Sequence, residues 1–229
     1  MRFVLPVLTL AAAAIAVTPV SAATRDWPAR GFDQVDLQAV ADVSVRQGPG
    51  FSVHAEGDPD MLARLRITVD HGRLVIGWTH EHIPLRREHH LHIAVTMPQI
   101  AGVALGGAGN ITVDPVRSPA FTADLGGAGN IRVNGLRADR VRLNVGGTGE
   151  ISVSGAARVV DERVSGVGSI EAGGLAARGG RVSMSGAGHV RTRIDGPVDV
   201  TLSGLGSVAI DGHPTCSIHK SGLGSVRCG

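Results

Sequence analysis

Five histidines fall close together in this chain: His80, His82, His89, His90 and His92. Neutral imidazole nitrogens are ligands for zinc, nickel or copper. On an extended strand His80 and His82 point the same way, as do His90 and His92. The turn-like segment 84–88 between the pairs lets them face each other across a hairpin. The plainer reading is a solvated hairpin tip, with Glu81, Arg86, Arg87 and Glu88 as ordinary polar surface. That reading is preferred, and no cofactor is expected.

A second set of residues invites chemistry through its glycines. Six-residue copies occur at GGAGNI 106–111, GGAGNI 126–131, GGTGEI 146–151, SGVGSI 165–170, SGAGHV 185–190, SGLGSV 203–208 and SGLGSV 221–226. Calcium-binding rolls carry an Asp at the last position of such a motif, because a hard cation needs oxygen ligands. Here that position holds Ile111, Ile131, Ile151, Ile170, Val190, Val208 and Val226. Phosphate cradling needs a glycine loop leading into a helix N-terminus, whereas these copies run on into β-type sequence. A carbohydrate-cleaving site needs paired carboxylates on one face. The nearest pair, Asp161-Glu162, is split to opposite faces by strand alternation, and the one lysine is Lys220. No catalytic residue is assigned, and the chain is expected not to be an enzyme.

What positions these motifs is their period. Successive copies are spaced 20, 20, 19, 20, 18 and 18 residues apart. That is too short for a strand–helix–strand unit of roughly 30 residues, and it fits one coil of a solenoid hydrogen-bonded to its neighbours. The fold class expected is all-β, a single-domain β-solenoid (β-helix) with coils of 18–20 residues. Val103, Leu105, Gly107, Gly109, Ile111 and Val113 alternate onto one face, and the same register recurs through Val141 to Val153. The glycines Gly107, Gly109, Gly127, Gly129, Gly147, Gly149, Gly166, Gly168, Gly186, Gly188, Gly204, Gly206, Gly222 and Gly224 are therefore expected to be structural. Facing inward, they would remove Cβ where opposing backbones approach closely, or where the strand bends at a corner. Turn signals fall once per coil at Asp114-Pro115, Asn134-Gly135, Ser154-Gly155, Gly173-Gly174, Asp195-Gly196-Pro197 and 211–214. An 18-residue period stacks Cys228 on Ile210 and brings Cys216 and Cys228 together across a turn, so a disulfide is expected.

Residues 1–23 read as a cleaved signal peptide: Arg2, an apolar run to Val17, Pro19, then small residues ending at Ala22-Ala23. The mature domain is then 24–229, with irregular strands and one short helix over 24–100 and seven regular repeats over 101–229. Strands are expected at 32–37, 40–47, 51–55, 67–69, 73–78 and 91–97, with a hairpin turn at Asp70-His71-Gly72. The helix, 59–65, starts from Asp58 as N-cap with Pro59 in its first turn. Without Arg2 the 22 basic side chains fall to 21 against 20 acidic ones, in no block of like charge. Neither nucleic acid nor an acidic membrane surface is suggested. An integral membrane protein is not expected after cleavage.

In order along the chain, Gly31-Phe32-Asp33-Gln34-Val35, Val43-Ser44-Val45-Arg46-Gln47-Gly48, Gly57-Asp58-Pro59-Asp60-Met61-Leu62, Asp70-His71-Gly72-Arg73-Leu74-Val75-Ile76 and the Gly-x-Gly-x-Ile copies resemble the head-GIN domain family of putative autotransporter adhesins. The resemblance covers about residues 28 to 229. It implies an all-β, β-helix-like fold in an envelope or secreted protein, periplasmic or at the cell surface, and carries over no catalytic residue.

The outward row beside the motif then matters most. Asn110, Asn130, Glu150, Ser169, His189, Ser207 and Ser225 should run in register, next to Ala108, Ala128, Thr148, Val167, Ala187, Leu205 and Leu223. Such a strip suits a glycan or protein ligand of the envelope or surface, or is simply a solvated sheet face. Leu205 and Leu223 suggest a contact surface or a homodimer through the C-terminal coils.

Overall fold

The computed structural model describes residues 23–79 and 91–229. Nineteen strands and one helix follow in order: β1 (Ala23–Trp27), β2 (Gln34–Leu37), β3 (Val40–Gln47), β4 (Ser52–Gly57), α1 (Pro59–Arg64), β5 (Leu65–Asp70), β6 (Arg73–Trp78), β7 (His92–Met97), β8 (Gly102–Leu105), β9 (Ala108–Val113) and β10 (Arg117–Leu125). Then come β11 (Ala128–Val145), β12 (Thr148–Val164), β13 (Val167–Ala177), β14 (Gly180–Met184), β15 (Ala187–Ile194), β16 (Pro197–Leu202), β17 (Leu205–Asp211), β18 (Thr215–Lys220) and β19 (Ser225–Cys228). They form a β-solenoid. The signal segment lies outside the described residues except for Ala23, which opens β1.

Each regular coil has three legs. The first stacks β3, β9, the starts of β11, β12 and β13, then β15, β17 and β19, all parallel. The last stacks β2, β8, the ends of β10, β11 and β12, then β14, β16 and β18. A short middle leg joins them. Its far corner is marked by two successive exposed residues at 119–120, 139–140 and 158–159, where alternation slips by one. The inward β-branched row Ile111, Ile131, Ile151, Ile170, Val190 and Val208 is at most 1% exposed. Burying each such side chain is worth about 1.5–3 kcal/mol, and the row belongs to one core running from Phe32 to Ile210.

Three expectations change here. The alternation of 103–113 does not continue along a single strand. Gly106 and Gly107 both donate their N–H groups to the Leu37 carbonyl (2.9 Å each), and this arch ends β8 and starts β9 in a new direction. The same double donation recurs from Gly126 and Gly127 to Leu125's predecessor coil at Leu105, and from Gly146 and Gly147 to Leu125. Second, Asn134-Gly135, Ser154-Gly155 and Gly173-Gly174 are not chain-breaking turns. They lie inside β11, β12 and β13, where the pairing register shifts. Those shifts help absorb the change from 20- to 18-residue spacing while the glycine motifs stay aligned.

Third, the N-terminal strands begin the solenoid out of chain order. β2 sits between β6 and β8, and β3 between β7 and β9. Antiparallel β4 covers β7, β1 covers β4, and β5 folds back on β6. The β5–β6 turn has positive φ at His71 (47°) and Gly72 (78°), the pattern of a type I′ hairpin. Helix α1 starts where Asp58 Oδ1 accepts from the Asp60 and Met61 N–H groups, and it buries Met61 and Leu62. Among the described residues no helix is long and apolar enough to cross a membrane.

Candidate functional site

The second glycine of each motif is needed because of what lies beside it along the stack. A Cβ on Gly127 would lie 2.0 Å from the Gly107 carbonyl oxygen, and one on Gly147 would lie 2.0 Å from that of Gly127. The third glycine adds a conformational requirement: Gly129 has φ +139°, and its Cβ would meet the Gly109 carbonyl. These clashes point at the preceding coil, not into the coil interior as the sequence suggests. The same holds for Gly107 and Gly109 against Gln38–Ala41, and for Gly149, Gly166, Gly168, Gly186, Gly188, Gly204, Gly206, Gly222 and Gly224 against earlier motif residues. The first motif position is open. A Cβ on Gly126 would find nothing nearer than 3.9 Å, which is why serine replaces glycine there in later coils.

This close stacking places the outward residues of the first leg in register. Asn110 pairs with Asn130, Asn130 with Glu150, Glu150 with Ser169, Ser169 with His189, His189 with Ser207 and Ser207 with Ser225. Asp42 continues the row below Asn110, a position that its non-repetitive surroundings hid in the sequence. Asn130 Nδ2 donates to Asn110 Oδ1 (3.0 Å), and Asn110 Nδ2 donates to Asp42 Oδ1 (2.8 Å). His189 contacts Glu171 of the preceding coil at 2.6 Å. The neighbouring row runs Val40, Ala108, Ala128, Thr148, Val167, Ala187 and Leu205. Val167 is 63% exposed and Leu205 62%, while Leu223, at the corner before β19, is 90% exposed.

Of the histidine set, His80, His82, His89 and His90 lie outside the described residues. His92 is exposed in β7, in register with Asp42, with Nε2 3.2 Å from Ser44 Oγ. Among the described residues no three His, Cys, Asp or Glu side chains are grouped to hold a metal. Cys216 and Cys228 form a disulfide, with Cα atoms 6.6 Å apart and Cys228 stacked on Ile210. It ties β18 to β19 at the end of the stack.

The Asp161-Glu162 pair divides as alternation requires, but its inward member is unusual. Glu162 is fully buried between Leu143 and Val182 of adjoining coils. Neither carboxylate oxygen, nor the buried Thr192 hydroxyl, has a hydrogen-bond partner among the described residues. Burial pushes the Glu162 carboxyl up to about 8; the Thr192 hydroxyl nearby opposes the shift, and the Asp161 charge adds to it. At 0% exposure this carboxyl is a core group, turned away from the outward Asp161.

Residues 31–214 match the family described as "Putative auto-transporter adhesin, head GIN domain". The chain belongs to that family. Solved structures share the fold across nearly its whole length. An adhesin from Bacteroides fragilis, described as putative, superposes with a TM-score of 0.86 at 23% identity, covering 90% of this chain and 96% of that one. A putative lipid binding protein from Parabacteroides distasonis gives 0.69 at 17% identity, covering 92% and 98%. A putative adhesin from Parabacteroides merdae gives 0.63 at 16%, again covering 92% and 98%. Among curated proteins none matches. The matching structures share the β-solenoid, and the family's description suggests adhesion.

Proposed function

We propose that this head-GIN chain is a non-catalytic, exported binding protein that presents the first leg of its solenoid to a ligand on an envelope or cell surface. The observation that carries this reading is the in-register row from Asp42 to Ser225. Its amides donate along the row, Asn130 to Asn110 (3.0 Å) and Asn110 to the Asp42 carboxylate (2.8 Å), and it is bordered by exposed Val167, Leu205 and Leu223. A row held by backbone ladders is preorganised, so little side-chain ordering opposes binding. Apolar side chains beside it add contact area without charge. Family membership supports an adhesive role, and the signal-like residues 1–23 support export.

The test is adherence of the purified protein to intact cells, comparing wild type with Asn110→Arg/Asn130→Arg. Two long side chains standing on this row should reduce retention at least about ten-fold, the effect of about 1.4 kcal/mol. Undiminished adherence would sink the reading. Release of sugar or peptide fragments from those cells would contradict its non-catalytic part.

A further inference from the structure

The middle leg has a different character. Its exterior forms an open groove of about 1760 Å³ crossing successive coils, floored by Ala138, Ala156 and Ala176. Four arginines stand along it. Arg117 and Arg137 are direct register partners on adjacent coils. Arg178 follows Arg158 by one coil, its backbone N–H donating to the Arg158 carbonyl (3.2 Å). Like charges directly opposite one another on paired strands destabilise a sheet.

The adjoining leg shows how this fold otherwise arranges its charges. There the outward row alternates in sign as Arg142, Asp161, Arg181 and Asp199, with contacts of 3.9 Å for Arg142–Asp161 and 3.7 Å for Arg181–Asp199. In the groove Arg137 is stacked on Arg117 and Arg178 on Arg158. Among the described residues none of the four guanidinium groups has a carboxylate within 4.0 Å. Of the groove's own carboxylates, Asp139 stands opposite Arg158 on the adjacent coil without a contact within 4.0 Å, and Asp195 at the far end is taken by the His213 side chain and N–H. Contact with His213 also holds the Asp195 carboxyl below its ordinary range.

We propose that this arginine groove binds a linear acidic polysaccharide, its carboxylates held by Arg117, Arg137, Arg158 and Arg178. Guanidinium groups pair with carboxylates through two parallel hydrogen bonds. Within each pair the two arginines are one coil apart, about 4.8 Å along the stack, and the Arg158–Arg178 pair is offset by two residues along the strand from the Arg117–Arg137 column, which Ala156 and Ala176 continue. The alanine floor leaves room for a chain to lie against the backbone. Single-stranded nucleic acid is held by stacking bases on aromatic rings, and no aromatic side chain lines this groove. The surface lies on a different leg from the Asn110–Ser225 row, so it does not depend on that row's role.

The experiment titrates the full chain with polygalacturonate, and separately with neutral dextran, single-stranded DNA and anionic phospholipid vesicles. The groove variant carries Arg117→Ser, Arg137→Ser, Arg158→Ser and Arg178→Ser. A control removes equal charge from the other legs through Arg46→Ser, Arg132→Ser, Arg163→Ser and Arg181→Ser. Exposed charge contacts each change binding by a factor of about two to three, so the groove variant should bind polygalacturonate about thirty-fold more weakly. The control should stay within about three-fold, and wild-type affinity should fall with added salt. Unchanged thermal unfolding shows that the groove variant is folded. Absent binding, equal loss in both variants, equal binding of dextran, or tighter binding of DNA or vesicles overturns the assignment. Asn110→Arg/Asn130→Arg should leave polygalacturonate binding intact, which separates failure of this proposal from failure of the first-leg reading.

Discussion

Glu162→Gln should make this protein more stable, and by an amount that grows with pH. The carboxyl is fully buried and pushed up to about 8 from an ordinary value of 4.5. In the unfolded chain it ionises near 4.5; in the folded chain it stays protonated until about pH 8. Below pH 4.5 both states hold the proton and the group contributes no pH dependence. Between 4.5 and 8 the unfolded state gains by losing its proton while the folded state cannot, so stability falls by about 1.4 kcal/mol per pH unit. At pH 7 the penalty is about 3 kcal/mol, approaching about 5 kcal/mol above pH 8. Glutamine has nearly the same shape and does not titrate. Chemical denaturation of wild type and variant at half-unit steps from pH 4.5 to 8.5 measures the difference directly. The two stability curves should diverge steadily, the variant ahead by about 3 kcal/mol at pH 7. Parallel curves would show that Glu162 is solvated or paired in solution, and the buried-carboxyl account would fail.

Other consequences follow from the same stacking. Gly147→Ala puts a Cβ 2.0 Å from the Gly127 carbonyl and should lower stability by about 3 kcal/mol or more, whereas Gly126→Ser, at the open first position, should stay within about 0.5 kcal/mol; equal effects in thermal unfolding would undo the clash argument. Reducing the Cys216–Cys228 bond, or replacing both cysteines with serine, frees a 12-residue separation and should cost about 3 kcal/mol on the loop-entropy estimate. Hydrogen exchange should show that loss first in β18 and β19. Thr192→Val removes the hydroxyl that opposes the upward shift of the Glu162 carboxyl and should extend the fall of stability with rising pH beyond about pH 8; an unchanged pH dependence would mean that the two side chains do not interact.

Much of the fold was legible because a solenoid writes its geometry as a period. Seven glycine motifs gave the coil length, and that length alone placed Cys228 on Ile210. The type I′ turn and the Asp58 cap are local chemistry, and both sit where the residues indicate. Harder to read was whatever depends on neighbouring coils. Strand alternation said that the glycine Cβ positions point inward, but the arch at Gly106-Gly107 turns the chain, so the close approach is to the coil below. The stacking of β2–β3 between the coil of β6–β7 and that of β8–β9 leaves no mark in chain order. Arg117, Arg137, Arg158 and Arg178 form no run of charge in sequence, since each is about one coil from the next. A search for blocks of like charge passes over them, and only the coil register, which pairs Arg117 with Arg137 and Arg158 with Arg178, brings them together. Glu162 was visible in Val160-Asp161-Glu162-Arg163-Val164, where alternation between two inward valines forces it into the core.

The claim that the first leg carries the ligand is tested most directly by footprinting. Protein bound to intact cells and protein free in solution would be labelled with hydroxyl radicals and compared by mass spectrometry. Protection of Val167, Leu205 and Leu223, with Val159 and Ile218 labelled as in free protein, is the result expected from exposed side chains on and off that leg. Protection confined to other surfaces, with Val167, Leu205 and Leu223 labelled equally in both samples, would contradict it.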